Sequence, residues 1–125
     1  MREEDFKNKL SPSQYKVLRE KATEAPFTGK YNLHFEEGVY HCGACGNELF
    51  NSDGKYDAGC GWPSFHTPID NDRILLKKDL SNNRERTEIL CKKCESHLGH
   101  VFSDGPTGQR YCVNSLSLDF TQKEN

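Results

Sequence analysis

Short runs of apolar residues alternate with polar ones along most of the chain after Gly38, and Gly, Pro, Asn or Asp separates these runs. Alternation with a period of two is typical of half-buried β-strands, and frequent turn residues favour an antiparallel arrangement. Asn82 and Asn83 fit a hairpin turn between two of the runs. The pattern predicts strands over 38–42, 73–80, 86–91, 99–103 and 109–118.

The pattern before residue 26 is that of a helix. Ser11 is typical of an N-cap, Pro12 of the first helical position, and Gln14 of the residue that closes a capping box. We expect this helix to run to about residue 23 and to be ended by Pro26, with a loop following.

The composition fits one domain with a small core. Of the 125 residues, 34% are hydrophobic and 29% are charged, so a further cross-link is expected to help hold the fold together. We predict a single domain over 1–125, with a helical N-terminal arm over 1–25 and a mainly β core over 38–120.

The charge and the apolar content exclude several functional classes. A net charge of -2 with the two signs interspersed offers no basic surface for a nucleic acid or an anionic membrane. The N-terminal segment MREEDFKNKL lacks the apolar region of a signal peptide, and no run approaches the ~18 apolar residues of a spanning helix. We therefore expect a soluble cytoplasmic protein, in which six cysteines indicate metal binding or thiol chemistry rather than permanent disulfides.

Four of the cysteines form two CxxC pairs, Cys42 with Cys45 and Cys91 with Cys94. The spacing lets both thiolates of one tight turn face a single ion, and four sulfurs suit a tetrahedral Zn²⁺ ion. The doubling of the motif makes ordinary buried cysteines a weaker explanation.

Two other assignments of these cysteines compete with the four-thiolate site. Cys91, Cys94, His97 and His100 recur at intervals of three residues, so a histidine is able to replace one thiolate. Four cysteines already complete a closed structural site, however, which leaves the histidines free for other work. A redox CxxC pair of the thioredoxin kind would follow a strand in a βαβ unit, and the pattern here predicts no such unit.

Cys60 and Cys112 remain for thiol chemistry. A strand period of two places Arg110, Cys112 and Asn114 on one face, so that a cation and an amide flank the thiol. Arg110 would lower the pKa of the thiol, and Asn114 is able to donate a hydrogen bond to the sulfur or to a substrate. A strand cysteine packed inward between polar neighbours explains the same pattern equally well.

The segment around Cys60, residues 59–65, is too rich in Gly and Pro for a central strand and is predicted to be a loop. A loop can carry a thiol toward a partner, as a resolving cysteine requires. Trp62 in this segment is either a core residue or an aromatic platform for an apolar ligand. His97 and His100 are either hydrogen-bonded structural groups or proton-transfer groups.

In order and spacing these motifs closely resemble the type B methionine sulfoxide reductase family, and the resemblance covers nearly the whole chain. Beside the two CxxC pairs, it rests on PFTGKY (26–31), GCGWPSF (59–65), HLGHVF (97–102) and RYCVNS (110–115). Small departures occur at Lys21-Ala22, at Tyr56 and at Ala58. None of them changes a residue that carries the chemistry.

The resemblance implies a fold of two antiparallel sheets in a zinc-stapled single domain, with one structural Zn²⁺ away from the active site. It implies reduction of methionine-R-sulfoxide, free or in proteins, with Cys112 as the catalytic nucleophile and Cys60 as the resolving thiol. Cys112 would pass through a sulfenic acid and a disulfide with Cys60, which thioredoxin would reduce. We expect a monomer that repairs oxidised methionine.

The chemistry of that reaction suggests roles for the remaining residues. Thiolate attack on a sulfoxide sulfur is slow unless the departing oxygen is protonated or hydrogen-bonded. The candidate donors are His97, His100 and Asn114. Dispersion and sulfur–aromatic contacts would hold the S-methyl group of the substrate. The candidate substrate-binding residues are Trp62, Phe102 and Arg110.

Two non-enzymatic classes share parts of this pattern. A zinc-ribbon module would bind a protein or a nucleic acid, although the acidic balance disfavours the latter. A guanine-nucleotide-exchange or chaperone module would use the same zinc-stapled β architecture. The flanking of Cys112 by Arg110 and Asn114 on one strand favours the enzyme over both.

Overall fold

Two helices precede the sheets in a computed structural model that describes residues 2–123. They are α1 (Glu3–Lys9) and α2 (Pro12–Glu20). Within the described residues neither helix is long and apolar enough to cross a membrane.

The start of α2 confirms the predicted capping box. The Gln14 amide donates to the Ser11 hydroxyl at 3.2 Å, and the Ser11 amide donates to the Gln14 side chain at 3.0 Å. The predicted end of the helix is wrong. The helix stops at Glu20 because Lys21 adopts left-handed backbone angles, with φ at 64°, so that Pro26 has no helix left to end.

The β core contains nine strands within residues 2–123, arranged in two antiparallel sheets. The strands are β1 (Gly38–Cys42), β2 (Glu48–Asn51), β3 (Lys55–Tyr56), β4 (Ser64–Phe65), β5 (Ile74–Asp79), β6 (Arg86–Cys91), β7 (His97–Gly105), β8 (Gly108–Val113) and β9 (Leu118–Gln122). One sheet has the order β2-β1-β9 and the other the order β3-β4-β8-β7-β6-β5. The predicted mainly β fold of two antiparallel sheets is confirmed.

Aromatic side chains from both sheets form the centre of the core. Tyr40 on β1, Phe50 on β2 and Phe65 on β4 are fully buried. The rings of Phe50 and Phe65 stack with centroids 4.3 Å apart, and Tyr40 meets Phe65 edge-on at 5.2 Å. Because Phe65 belongs to the six-stranded sheet and the other two residues to the three-stranded sheet, these contacts bury the two sheets against each other.

Two predicted elements differ from the structure. The strand predicted over 109–118 is interrupted: β8 ends at Val113, and β9 begins at Leu118 after a short 3-10 turn. The cause is Asn114, whose side chain accepts a hydrogen bond from the Glu24 amide and donates one to the Leu98 carbonyl, both at 3.0 Å. The loop predicted over 59–65 also contains β4, which pairs with β8.

The helical arm packs on the turn between β6 and β7. Arg19 donates hydrogen bonds to the Cys94 carbonyl at 3.0 Å and to the Ser96 hydroxyl at 3.1 Å. Its guanidinium lies 4.1 Å from the centroid of the Phe6 ring. These contacts fix α2 beside the strands that carry the candidate site.

Candidate active site and metal centre

The four CxxC cysteines converge at a junction of the two sheets. Cys42 ends β1 and Cys45 follows in the turn to β2, while Cys91 ends β6 and Cys94 follows in the turn to β7. Their sulfur atoms all lie within 4.8 Å of one another, at 3.7 Å for Cys42 with Cys94 and 3.6 Å for Cys45 with Cys91. A tetrahedron with metal–sulfur bonds of about 2.3 Å has edges of about 3.8 Å. The sulfur arrangement therefore fits a four-coordinate metal ion.

The two CxxC turns have the same backbone geometry. The Gly46 amide donates to the Cys42 carbonyl at 2.8 Å, and the Glu95 amide donates to the Cys91 carbonyl at 2.7 Å. Gly46 and Glu95 both adopt positive φ angles, 82° and 59°. The turn thus requires a left-handed residue directly after the second cysteine, which glycine supplies without strain in the first turn.

Cys112 lies on β8 between two strands that carry polar residues. Its Cα is paired with that of Ser64 on β4 and with that of His100 on β7. A cavity of about 180 Å³ opens beside it. Of the eight residues predicted for catalysis or substrate binding, the cavity lining contains all except His97. It also contains Thr23 and Arg86, which the sequence did not single out.

Cys60 reaches the same cavity from the loop before β4. Its sulfur lies 3.3 Å from the Ser64 hydroxyl, and both cysteines of the cavity are free thiols. Gly61 in this loop has φ at 98°, and a Cβ placed there would lie 2.7 Å from the Cβ of Pro26. Only glycine therefore allows the loop to pack this closely on the preceding segment.

The two thiols differ in their electrostatic surroundings. Burial raises the pKa of Cys112 to about 12, the neighbouring Cys60 adds to this rise, and Arg110 opposes it. Burial also disfavours the Cys60 thiolate, yet hydrogen bonding to Ser64 and to the Trp62 backbone leaves the pKa of Cys60 below its ordinary value. In the substrate-free reduced protein, the negative charge of the pair is thus better held on Cys60.

Arg110 lowers the pKa of Cys112 as expected, but it does not overcome burial. The guanidinium is already engaged, because its Nε donates to Asp104 at 2.8 Å and its plane lies 4.4 Å from the centroid of the Phe102 ring. Arg110 alone therefore does not bring the pKa of Cys112 below its ordinary value in this state of the protein.

The two histidines have different positions relative to the cavity. His100 lines the cavity, and its Nε2 donates to the Asp79 carboxylate at 2.7 Å. His97 lies outside the lining and is almost fully buried, and its Nδ1 donates to the Glu88 carboxylate at 2.7 Å. Its Nε2 is buried and has no hydrogen-bond partner among residues 2–123. The structure thus brings His100, and not His97, to the side of Cys112.

Glu24 positions two predicted site residues. Its amide donates to the Asn114 side chain at 3.0 Å, and its carbonyl accepts from the Trp62 indole at 3.0 Å. Asn114 also donates to the Leu98 carbonyl, so its amide group is oriented by backbone partners on both sides. Glu24 was missed in the sequence, where a glutamate before Pro26 gives no sign of contacts 38 and 90 residues away.

Asp79 and Glu88 were also missed. The available signal was that each acid occupies a predicted strand whose other positions include apolar residues, and a buried carboxylate needs a partner. Which histidine each acid would meet depends on the pairing of β5, β6 and β7, which the sequence pattern does not fix.

Comparison with known proteins identifies the family of the chain. A family model described as the SelR domain matches residues 10–122. The peptide methionine sulfoxide reductase MsrB of Methanosarcina mazei is 55% identical over 125 residues, an alignment that covers 98% of this chain and 89% of the relative. The protein of the same name from Leptospira interrogans is 55% identical over 124 residues, with 98% and 94% covered. The chain therefore belongs to the MsrB family.

Proposed function

We propose that the protein reduces methionine-R-sulfoxide, free or within proteins, to methionine, with Cys112 as the nucleophile. The observation that carries this proposal is the placement of Cys112 in one cavity with a second thiol, Cys60, and with His100 directly across the strand pair. Family membership supports the same reaction, because the relatives are named peptide methionine sulfoxide reductases.

In the first step, the Cys112 sulfur attacks the sulfoxide sulfur and forms a transient sulfur–sulfur bond. The oxygen then moves from the substrate sulfur to the Cys112 sulfur, so that the sulfur–oxygen bond of the substrate and the transient sulfur–sulfur bond both break. The products are methionine and a sulfenic acid on Cys112, so the oxygen atom moves to the enzyme. The proton of the Cys112 thiol ends on that oxygen. His100 is the group placed to relay it, because it lines the cavity and Asp79 holds its ring in one orientation.

In the second step, the Cys60 sulfur attacks the Cys112 sulfenic acid, and water leaves as the disulfide forms. The lowered pKa of Cys60, caused by hydrogen bonding to Ser64 and the Trp62 backbone against the effect of burial, suits it to this attack. A dithiol must then reduce the disulfide, and we propose thioredoxin in the cytoplasm as its source.

Substrate binding is assigned to the apolar side of the cavity. Trp62 and Phe102 line it, and the Trp62 ring is held by its hydrogen bond to the Glu24 carbonyl. A fixed ring gives the S-methyl group one binding position. With the oxygen directed toward His100, only one hand of the pyramidal sulfoxide sulfur fits, and we propose that this is the R epimer.

We infer that the metal is one structural Zn²⁺ ion, held by the four cysteines of the two turns. Four soft thiolates at tetrahedral separations favour zinc and leave no open coordination position for a substrate. None of these cysteines lines the cavity of Cys112. The ion would join the β1–β2 turn to the β6–β7 turn and take no part in the reaction.

An assay of the purified protein against the separate R and S epimers of methionine sulfoxide tests the proposed function. With dithiothreitol as reductant, we expect turnover of the R epimer only. Comparable rates on the two epimers, or no turnover of either, would contradict the assignment.

A further inference from the structure

Two buried carboxylates each hold one of the two histidines. Asp79 and Glu88 are each 3% exposed, and each accepts a hydrogen bond of 2.7 Å, from His100 and His97 respectively. The centroids of the two imidazole rings lie 5.5 Å apart. The four side chains therefore form one cluster in which a change of charge on any member affects the others.

Lys21 touches both carboxylates of this cluster. Its Nζ lies 3.3 Å from Oε1 of Glu88 and 3.5 Å from Oδ1 of Asp79. Arg86 lies 3.8 Å from the other carboxylate oxygen of Asp79. Among residues 2–123, Lys21 is the one lysine or arginine in contact with both acids.

The backbone directs Lys21 to this position. It follows the last residue of α2 with φ at 64°, a left-handed conformation that is unfavourable for a residue with a Cβ. The left-handed turn ends the helix beside β5 and β6, where the side chain meets the carboxylates. The N-terminal arm thus contributes a charge to the cluster as well as apolar packing.

The charges of the cluster cancel only when both histidines are neutral. Two carboxylates are balanced by the cations of Lys21 and Arg86. Without Lys21, one buried negative charge would lack compensation, and a proton on a histidine would supply it. The other charged residues around the depression over His97 are Arg19, Lys77 and Glu95.

We propose that Lys21 is a positioning residue that keeps His97 neutral, so that the proton delivered to the sulfoxide oxygen is carried by His100 alone. This inference rests on the proposed function. The electrostatics of His97 agree with it: burial lowers the pKa of His97, Glu88 opposes this, and the charges of His100 and Lys21 add to the lowering.

Histidine titration followed by NMR tests the inference without requiring activity. In the metal-loaded, reduced full chain, Lys21→Gln should raise the titration midpoint of His97 by about one in pH, because a cation close to its carboxylate partner is lost. Lys21→Arg should restore the wild-type midpoint. Lys77→Gln is the matched control, since Lys77 borders the same depression but makes no ion pair with Asp79 or Glu88.

The kinetics give a second readout. Lys21→Gln should reduce kcat for methionine-R-sulfoxide several-fold near neutral pH and leave KM unchanged, because Lys21 does not line the cavity. The Lys21 side chain is 46% exposed, so the variant should fold, as thermal unfolding can verify.

An unshifted His97 midpoint in Lys21→Gln, or an equal shift in Lys77→Gln, would overturn the inference. A wild-type protein that shows the titration behaviour but reduces neither epimer would instead overturn the proposed function.

Discussion

Cys60 and Cys112 line one cavity, but their thiols have different pKa values. This difference predicts the order in which a reagent modifies them. Burial raises the pKa of Cys112 to about 12, whereas hydrogen bonding to Ser64, against burial, lowers that of Cys60. A raised pKa means a smaller thiolate fraction at pH 7, and only the thiolate reacts. We expect iodoacetamide to modify Cys60 first at pH 7, as judged by mass spectrometry of peptides.

The pH dependence of alkylation distinguishes the two sites further. The rate at Cys112 should rise about tenfold per pH unit well into the alkaline range, while the rate at Cys60 levels off earlier. Cys60→Ser should speed alkylation of Cys112 at pH 7, because the charge of Cys60 contributes to the raised pKa. Faster modification of Cys112 than of Cys60 in the wild-type protein would show that the order is wrong.

The proposed reaction gives the same two cysteines unequal duties. Cys112→Ser removes the attacking sulfur and should leave activity at background with any reductant. Cys60→Ser should release about one equivalent of methionine per chain and then stop with thioredoxin, since no disulfide forms for it to reduce. Dithiothreitol should restore partial turnover by reaching the Cys112 sulfenic acid directly.

Two measurements test the expected behaviour of Cys60→Ser. They are the amount of methionine released in a single turnover and mass analysis of the stalled protein. One added oxygen, or a dimedone adduct, is expected on Cys112. Full-rate cycling of Cys60→Ser with thioredoxin would mean that another group resolves the sulfenic acid.

At the scale of the structural elements, β7 and β8 approach each other closely beside Cys112. A Cβ on Gly99 would lie 1.9 Å from the Cys112 carbonyl oxygen and 2.9 Å from its carbonyl carbon. Since backbone atoms cannot rotate away, Gly99→Ala should force the strands apart, cost about 1–3 kcal/mol of stability and displace Cys112. Thermal unfolding and R-epimer turnover should both fall. Ser103→Ala, at an exposed position on the same strand, should change neither.

Strands and turns were predictable where the local pattern alone decides the conformation. The predictions over 38–42 and 86–91 match β1 and β6 to the residue. The hairpin turn is confirmed, with φ at 58° for Asn82 and 56° for Asn83. The strand over 109–118 was wrong because Asn114 is bound by the Glu24 amide, 90 residues earlier. No local periodicity encodes such a contact.

The residues of the site also divide into those that the local sequence pattern identifies and those that depend on contacts between distant segments. Motif spacing predicted the residues around Cys112, because alternate side chains of one strand lie on the same face and line the cavity together. The carboxylates that hold the histidines depend on strand pairing, in which Asp79 lies opposite Arg86 and Glu88 opposite His100. A shift of one residue in register would direct both acids to the other face of the sheet.

At the scale of the whole molecule, the cluster of four cysteines brings parts of the two sheets together. Cys42 and Cys45 lie at the end of β1 and in the turn that follows it, in the three-stranded sheet's half of the cluster, whereas Cys91 and Cys94 lie at the end of β6 and in the turn that follows it. We expect about one zinc per chain. Cys42→Ser or Cys94→Ser should lose it and lower the unfolding temperature sharply, because structural zinc binding is worth roughly 10–16 kcal/mol in small zinc modules.

Elemental analysis beside thermal unfolding measures both effects, with Cys60→Ser as the control. That variant removes a cysteine outside the cluster and should keep its zinc. If Cys42→Ser retained both the metal and its melting temperature, the four-thiolate ligand set would be wrong.

The pairing of β1 with β9 has a consequence for the order of events during synthesis. β1 lies between β2 and β9, and its register joins Gly38 to Gln122. During synthesis on the ribosome, one edge of β1 therefore stays unpaired until β9, the last described strand, has been made. An unpaired edge of this kind can form hydrogen bonds with strands of other chains. Both cysteine turns are complete well before β9. Early zinc capture would anchor the end of β1 to the β6–β7 turn and shorten the time that its open edge is free to aggregate.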